Sequence, residues 1–213
     1  MDKVVNIYLL RHGKTVGAPA LYGHTDVAVD EQTQQQIYER IKASAMNIER
    51  VISSPLKRCA QLAQFFDASP VNIDVAIWPA LKEMHFGELD GVPFDAAKSS
   101  WPELEQFWHS PAENTLPGAE NLSDFYTRIT KSWEQLVTDV EQDTLVICHG
   151  GTIRMILASL LPLDWQDSRL YSTLQIGHQT ISHIQIIKAD AIYKRVCSIG
   201  APIESSLGQG IKQ

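Results

Sequence analysis

Two kinds of apolar pattern organise this chain. Short unbroken runs, Ile7-Tyr8-Leu9-Leu10 and Leu145-Val146-Ile147-Cys148, have the length of buried strands. Longer stretches instead repeat apolar residues at helical spacing. The clearest is Asn121 to Val140, where Leu122, Phe125, Tyr126, Ile129, Trp133, Leu136, Val137 and Val140 fall on one core-facing stripe. Asp30 to Ala45 predicts another helix, with Asp30 as its cap and Ile37, Ile41 and Ala45 inward. A third opens with Ser54 as N-cap and Pro55 at the first helical position, and Leu56, Cys59, Ala60, Ala63 and Phe66 turn toward a sheet. A fourth covers Ile153 to Leu161. Gln179 to Ile187 and Ala191 to Ile199 read as strands joined near Lys188-Ala189-Asp190, and the tail from Gly200 reads as mobile. Between Pro93 and Pro117 no period holds. That stretch carries Trp101, Phe107 and Trp108 and is expected to form small helices over a site's mouth, as a lid and specificity element.

Chemistry enters where the two strand-like runs stop, because each stops on a histidine. The first delivers Arg11-His12-Gly13, the second His149-Gly150-Gly151-Thr152 at the start of a helix. Ligands of open α/β sheets gather beyond the carboxyl ends of strands, and a helix N-terminus suits an anion such as phosphate. Arg11 brings a planar, permanently charged fork, and Gly13 lets backbone approach a ligand. Between the two runs, Ser53-Ser54-Pro55-Leu56-Lys57-Arg58 sets Arg58 one turn inside a helix, where it offers a second fork or simply faces water. Leu81 to Gly91 reads as a loop, and Glu83, Glu88 and Asp90 are its candidates for proton transfer. Taken singly, each has a bland structural reading; their combination changes the picture.

In order and spacing, these four motifs resemble the histidine phosphatase superfamily, which contains the cofactor-dependent phosphoglycerate mutases. The resemblance runs from Ile7 to about Leu161. It implies an α/β fold: a three-layer αβα sandwich, phosphoglycerate mutase-like, with a mostly parallel central sheet and helices on both faces. It also implies that His12 is the nucleophile and becomes phosphorylated, that Arg11 and Arg58 clamp the phosphate, that His149 is the second catalytic histidine, and that Glu83 is the proton donor. Thr15 and Gly150 join Arg11 and Arg58 as expected substrate contacts. Neither a metal nor a cofactor is implied. Consistently, His24, His85, His109, His178 and His183 show no ligand spacing. Lys14 and Ala18 stand where many relatives carry Glu and Asn, and Lys14 reads as solvated rather than as a replacement ligand.

Within the superfamily, Leu21-Tyr22-Gly23-His24-Thr25-Asp26, the chain length and Phe86-Gly87-Glu88 look most like the α-ribazole-5′-phosphate phosphatases of cobalamin assembly. Trp101 or Trp108 would then stack on the heterocycle. A broad-specificity sugar-phosphate phosphatase, a mutase-type enzyme and an idle phosphate-binding module remain as alternatives.

Composition narrows the partners. With 213 residues, 44% hydrophobic and 20% charged, the chain supports one core and is expected to form a single domain over residues 1–213. A formal net charge of −7 argues against nucleic acid and for a small phosphate ester whose charge is met locally. Three widely spaced cysteines suit a reducing cytoplasm, and no run has the length of a membrane span. The oligomeric state stays open, a homodimer included.

Overall fold

The structure, a computed structural model, describes residues 3–204. Six strands form one sheet in the order β3-β2-β4-β1-β5-β6: β1 (Lys3–Arg11), β2 (Arg50–Ser53), β3 (Asp74–Ile77), β4 (Thr144–Cys148), β5 (Thr180–Lys188) and β6 (Ile192–Pro202). The first four are parallel where they pair, while β5 and β6 form an antiparallel hairpin beside β1. The expected mostly parallel α/β sheet is therefore present.

Alternation along the buried strands divides the core. Val5, Ile7, Leu9, Val146 and Cys148 turn to one face, against α4 (Leu122–Asp139) and α5 (Gly150–Leu160). Leu10, Leu145 and Ile147 turn to the other, against α1 (Glu31–Lys42) and α2 (Lys57–Asp67). A strand buried on both faces must be apolar at consecutive positions, which is why these runs lack polar alternation. The remaining helices, α3 (Trp101–His109) and α6 (Arg169–Thr173), sit at the edge of the first layer. Among the described residues, no helix is long and apolar enough to cross a membrane.

Three local expectations change. Asp30 does cap α1 through Thr33, but the helix ends at Lys42, because the Ser44 hydroxyl takes the Ile41 carbonyl and stops the ladder before Ala45. Ser54 is not the N-cap of α2: the helix starts at Lys57 with Leu56 at the cap and no side-chain cap bond, and the Ser54 hydroxyl accepts the Leu56 N–H at 3.4 Å and also meets His149. The tail does not begin at Gly200, since β6 pairs with β5 through Pro202 and Ile203 is buried. The rest of that expected tail, 205–213, lies outside the described residues. The small helices expected in the 93–117 stretch are present: a 3-10 turn at Lys98–Ser100 and then α3.

Candidate active site

Strand register assembles the site. β1 and β4 are parallel neighbours with Arg11 opposite Cys148, and the His12 N–H donates to the Cys148 carbonyl at 3.1 Å. His12 and His149 thus leave the sheet side by side, their rings edge-on with centroids 5.2 Å apart. β2 flanks β4 on its other side, and the Ser54 N–H donates to the Ile147 carbonyl at 3.0 Å. That places the Ser54 hydroxyl 2.8 Å from His149 Nε2.

Arg58, in the first turn of α2, fixes the His149 tautomer. Its Nε lies 3.2 Å from His149 Nδ1, and a guanidinium can only donate. Nδ1 therefore carries the lone pair, and Nε2–H donates to Ser54. The remaining Arg58 nitrogens reach the carbonyls of Thr25 (3.1 Å), Tyr22 (3.1 Å) and Gly23 (2.6 Å). With Arg58 only 1% exposed and one Nη1 hydrogen unassigned, it differs from the open fork expected of it. It braces the 22–25 loop and His149 together and keeps at most one N–H for a ligand.

His12 is 6% exposed, and its Nδ1 lies 2.6 Å from the Gly13 carbonyl. A carbonyl only accepts, so Nδ1 holds the proton and Nε2 the lone pair. Burial first, and then the charge of Arg58, hold His12 well below the usual imidazole range. His149 is displaced the same way, by burial and then by Arg58. Both rings are neutral at pH 7.

Arg11 is held from one side. Its Nη1 donates to the Ile176 carbonyl and its Nη2 to His178 Nε2 at 3.2 Å, while Nε is buried with no protein partner. A side chain at Gly150 would put its Cβ 3.3 Å from that Nε, so glycine lets the start of α5 pack closely against the guanidinium. Glu83 crowns the start of α5: its carboxylate accepts the Gly151 N–H at 2.9 Å. A Cβ on Gly151 would stand 2.3 Å from Glu83 Oε1, so the second glycine is what admits the acid. A carboxylate at a helix N-terminus is favourably placed.

These groups line two adjoining chambers that share Leu21 and Glu83. The first, about 410 Å³, is bordered by Arg11, His12, Lys14, Thr15, Tyr22 and His178. Lys14 lies at this wall and is exposed, while Thr15 is fixed by an antiparallel bridge to Val29. The second, about 340 Å³, is walled by Phe86, Phe107, Trp108, Phe125, Arg154 and Tyr171. Trp108 reaches it, whereas Trp101 packs edge-on against Trp108 and Phe94 behind it. Arg154 Nε donates to the Leu174 carbonyl at 2.9 Å. Among the described residues, its terminal nitrogens have no hydrogen-bond partner and no salt bridge holds it.

Geometry also sorts the three candidate acids. Asp90 accepts the N–H groups of Gly23, His24, Thr25 and Phe86, so it is a loop clasp. Glu88 is exposed and lines neither chamber. Only Glu83 faces the site. Arg128 on α4 steadies the approach to it: Arg128 pairs with Glu120 and donates to the carbonyls of Ala80 and Lys82 at 2.7 and 3.0 Å. His24 and His85 meet edge-on at 4.8 Å, and among the described residues no group of three or more His, Cys, Asp or Glu is arranged to hold a metal. Sequence reasoning missed Ser54 as a partner of His149, as well as His178 and Arg154. The first two sit in segments whose local pattern speaks only of turns. Arg154 could have been found, because it lies one helical turn beyond Gly150.

Comparison with known proteins agrees with this geometry. A family model described as the histidine phosphatase superfamily (branch 1) matches residues 7–196. Phosphoglycerate mutase-like protein 4 of Arabidopsis thaliana is 29% identical over 175 residues, covering 78% of this chain and 76% of its own. A broad-specificity phosphatase of Saccharomyces cerevisiae is 24% identical over 168 residues, covering 73% and 70%. Among solved structures, a putative α-ribazole-5′-P phosphatase from Escherichia coli K-12 superposes with a TM-score of 0.75 at 20% identity, covering 94% of this chain and 98% of that one. At that identity, the likeness shows a shared fold.

Proposed function

The chain belongs to the histidine phosphatase superfamily and is a phosphoric monoester hydrolase, and on that premise we propose that it cleaves a small phosphate ester through a phosphohistidine on His12. The observation that carries this reading is the His12 ring: its Nδ1 proton is tied to Gly13, its Nε2 lone pair is free, and it borders the same chamber as the Arg11 guanidinium.

Phosphoryl transfer needs an in-line nucleophile, charge neutralisation on the equatorial oxygens and a proton for the leaving alkoxide. His12 Nε2 forms the bond to phosphorus as the ester P–O bond breaks. Arg11, the free N–H of Arg58 and the Gly150 N–H at the start of α5 hold the phosphoryl oxygens, with Thr15 at the edge, while the Gly151 N–H stays with Glu83. Glu83 gives its proton to the departing alkoxide, then takes one from the water whose oxygen attacks phosphorus as the P–N bond to His12 breaks. Inorganic phosphate leaves, and neutral His12 is restored. His149 supports the phosphoryl group from beneath; it keeps Arg58 aligned and donates through Nε2 once Ser54 yields. No step draws on a metal or cofactor.

The adjoining chamber is where the alcohol part of the ester sits. Its flat aromatic walls support the finer reading, α-ribazole 5′-phosphate, whose benzimidazole would lie against Trp108 and Phe107. The unpaired terminal nitrogens of Arg154 favour a second reading, an ester whose alcohol carries a carboxylate, as in the phosphoglycerates. Unpaired thiols at Cys59, Cys148 and Cys197 support a reducing, cytoplasmic setting, and the acidic surface supports a small-molecule partner rather than nucleic acid. The six strands join in one sheet, which supports the reading of a single domain over residues 1–213.

Initial rates of phosphate release decide between these substrates when α-ribazole 5′-phosphate is run beside sugar phosphates, phosphoglycerates and p-nitrophenyl phosphate, all with chelator. A kcat/KM preference for α-ribazole 5′-phosphate of about tenfold or more supports the first reading, and a preference for phosphoglycerates the second. Absence of acid-labile phosphate on the protein during turnover would overturn the phosphohistidine itself.

A further inference from the structure

The segment 174–179, between α6 and β5, runs along the rim of the phosphate chamber. Ile176 is fully buried, and its carbonyl takes Arg11 Nη1. Two residues on, His178 borders the chamber with its ring centroid 5.3 Å from that of His12. His178 Nε2 is 3.2 Å from Arg11 Nη2, and His178 Nδ1 is 3.2 Å from the His12 carbonyl. Both partners are fixed in sense, because a guanidinium only donates and a carbonyl only accepts. His178 therefore stands neutral in a single tautomer, accepting from Arg11 at Nε2 and donating to His12 from Nδ1. Burial, and then the charge of Arg11, lower its basicity and agree with that state.

The backbone supports the same placement. Gln179, with φ of 59°, is the one non-glycine residue with positive φ among those described, and its N–H donates to the Arg11 carbonyl at 3.1 Å. A left-handed conformation in a residue with a side chain persists only where surroundings impose it, and such residues cluster at functional sites. Here it bends the chain so that the imidazole beside it meets the guanidinium.

We propose that His178 is a positioning residue for phosphate binding: with the Ile176 carbonyl it engages one hydrogen on each terminal nitrogen of Arg11, so that the guanidinium bordering the chamber is held in one orientation toward the reacting phosphate. The proposal rests on the phosphatase reading of the chamber. Neutral His178 adds no charge; it contributes direction. Without it, Arg11 keeps one anchor and can swing about it. Lys14, the other cation at this wall, is exposed and makes no hydrogen bond to either group.

The test compares His178→Ala with His178→Gln, whose amide oxygen can occupy the place of Nε2. Calorimetric binding of inorganic phosphate, kinetics with p-nitrophenyl phosphate and thermal midpoints are read on each. His178→Ala should weaken phosphate and raise KM by roughly tenfold while kcat changes less than about threefold, since Arg11 holds phosphoryl oxygens in ground and transition states alike. His178→Gln should restore both to within about threefold. Unchanged phosphate affinity in His178→Ala overturns the proposal, and so does equal impairment of the two variants, which would mean that the ring merely fills space. Phosphate binding that depends on His178 in a protein that hydrolyses no ester would retain this inference and sink the hydrolase reading. Normal hydrolysis that ignores both variants would do the reverse.

Discussion

In the phosphate chamber, the reactive side chains arrive from the ends of β1 and β4 or from the first turn of the helix that follows β2. In the adjoining chamber, most of the wall comes from the 81–91 loop, α3, α4 and α6. The first region is satisfied almost atom by atom: His149, which is 0% exposed, commits both ring nitrogens, and Arg58 commits four contacts. The second is apolar surface with one incompletely paired cation, Arg154. Hydrogen-bonded, buried groups tolerate little displacement, so the chemistry is fixed, while an aromatic wall can be re-cut without disturbing it. Glu83 belongs to both, and its variants should report on both.

The largest effect that would separate the regions is at His12. His12→Ala should cut turnover of every ester by about 10⁴-fold or more and abolish acid-labile phosphate incorporation, as quenched-flow labelling would show. Retained labelling would move the nucleophile elsewhere. Next comes Arg58→Ala, which strands the carbonyls of Tyr22, Gly23 and Thr25 and the Nδ1 of His149. It should lose about 2–4 kcal/mol of stability by denaturant titration together with activity, because brace and chemistry are one structure. If stability held and only KM rose, Arg58 would be a ligand and not a brace.

Glu83→Gln sharpens the contrast at the shared wall. It should slow alkyl phosphates by about 10²-fold and leave p-nitrophenyl phosphate within about threefold, because an activated leaving group needs little protonation. Equal losses would remove Glu83 from that role. Trp108→Ala is expected to be milder: KM for an aromatic or heterocyclic ester rises by about five- to tenfold, and small esters and the thermal midpoint are unaffected.

The smallest effect is on pH dependence. Folding lowers the proton affinity of His12 and His149, so between their folded and unfolded pKa values the unfolded chain binds more protons. Stability is full above about pH 6.5 and falls as pH drops below it, and calorimetric midpoints should follow. A midpoint that rose on acidification to about pH 5.5 would contradict neutral buried imidazoles.

Much of the first region was legible along the chain. An apolar run too short for a helix and lacking alternation reads as a strand buried on both faces, and a histidine after such a run reads as a strand-end residue. Two such histidines suggested one crevice, and the β1–β4 register brings them to 5.2 Å. The helical stripes of α1 and α4 were legible for the same reason: burial on one face writes a period into the sequence. What was misread had a competing partner from afar. Ser54 looks like a cap because its neighbours are those of a cap, but α2 starts at Lys57 and the hydroxyl, besides the Leu56 N–H, meets His149, 95 residues away. Arg58 looks like an open fork because arginine usually is one, but three loop carbonyls reach it first. Beyond Gly200, the sequence looks like a tail, but β5 pairs with it through Pro202.

The sequence by itself determined the α/β class, the two strand-end histidines, the acid-bearing loop and an aromatic stretch near the site, since each depends on periodicity or on residues adjacent in the chain. Only the tertiary structure decided which of Glu83, Glu88 and Asp90 faces the chambers, which of Trp101 and Trp108 lines one, how Arg58 spends its donors, and that His178 holds Arg11. Those outcomes are set by hydrogen-bond partners and packing surfaces that are distant in sequence. A side chain's role follows from the neighbours that folding brings to it, and a local pattern carries no record of them.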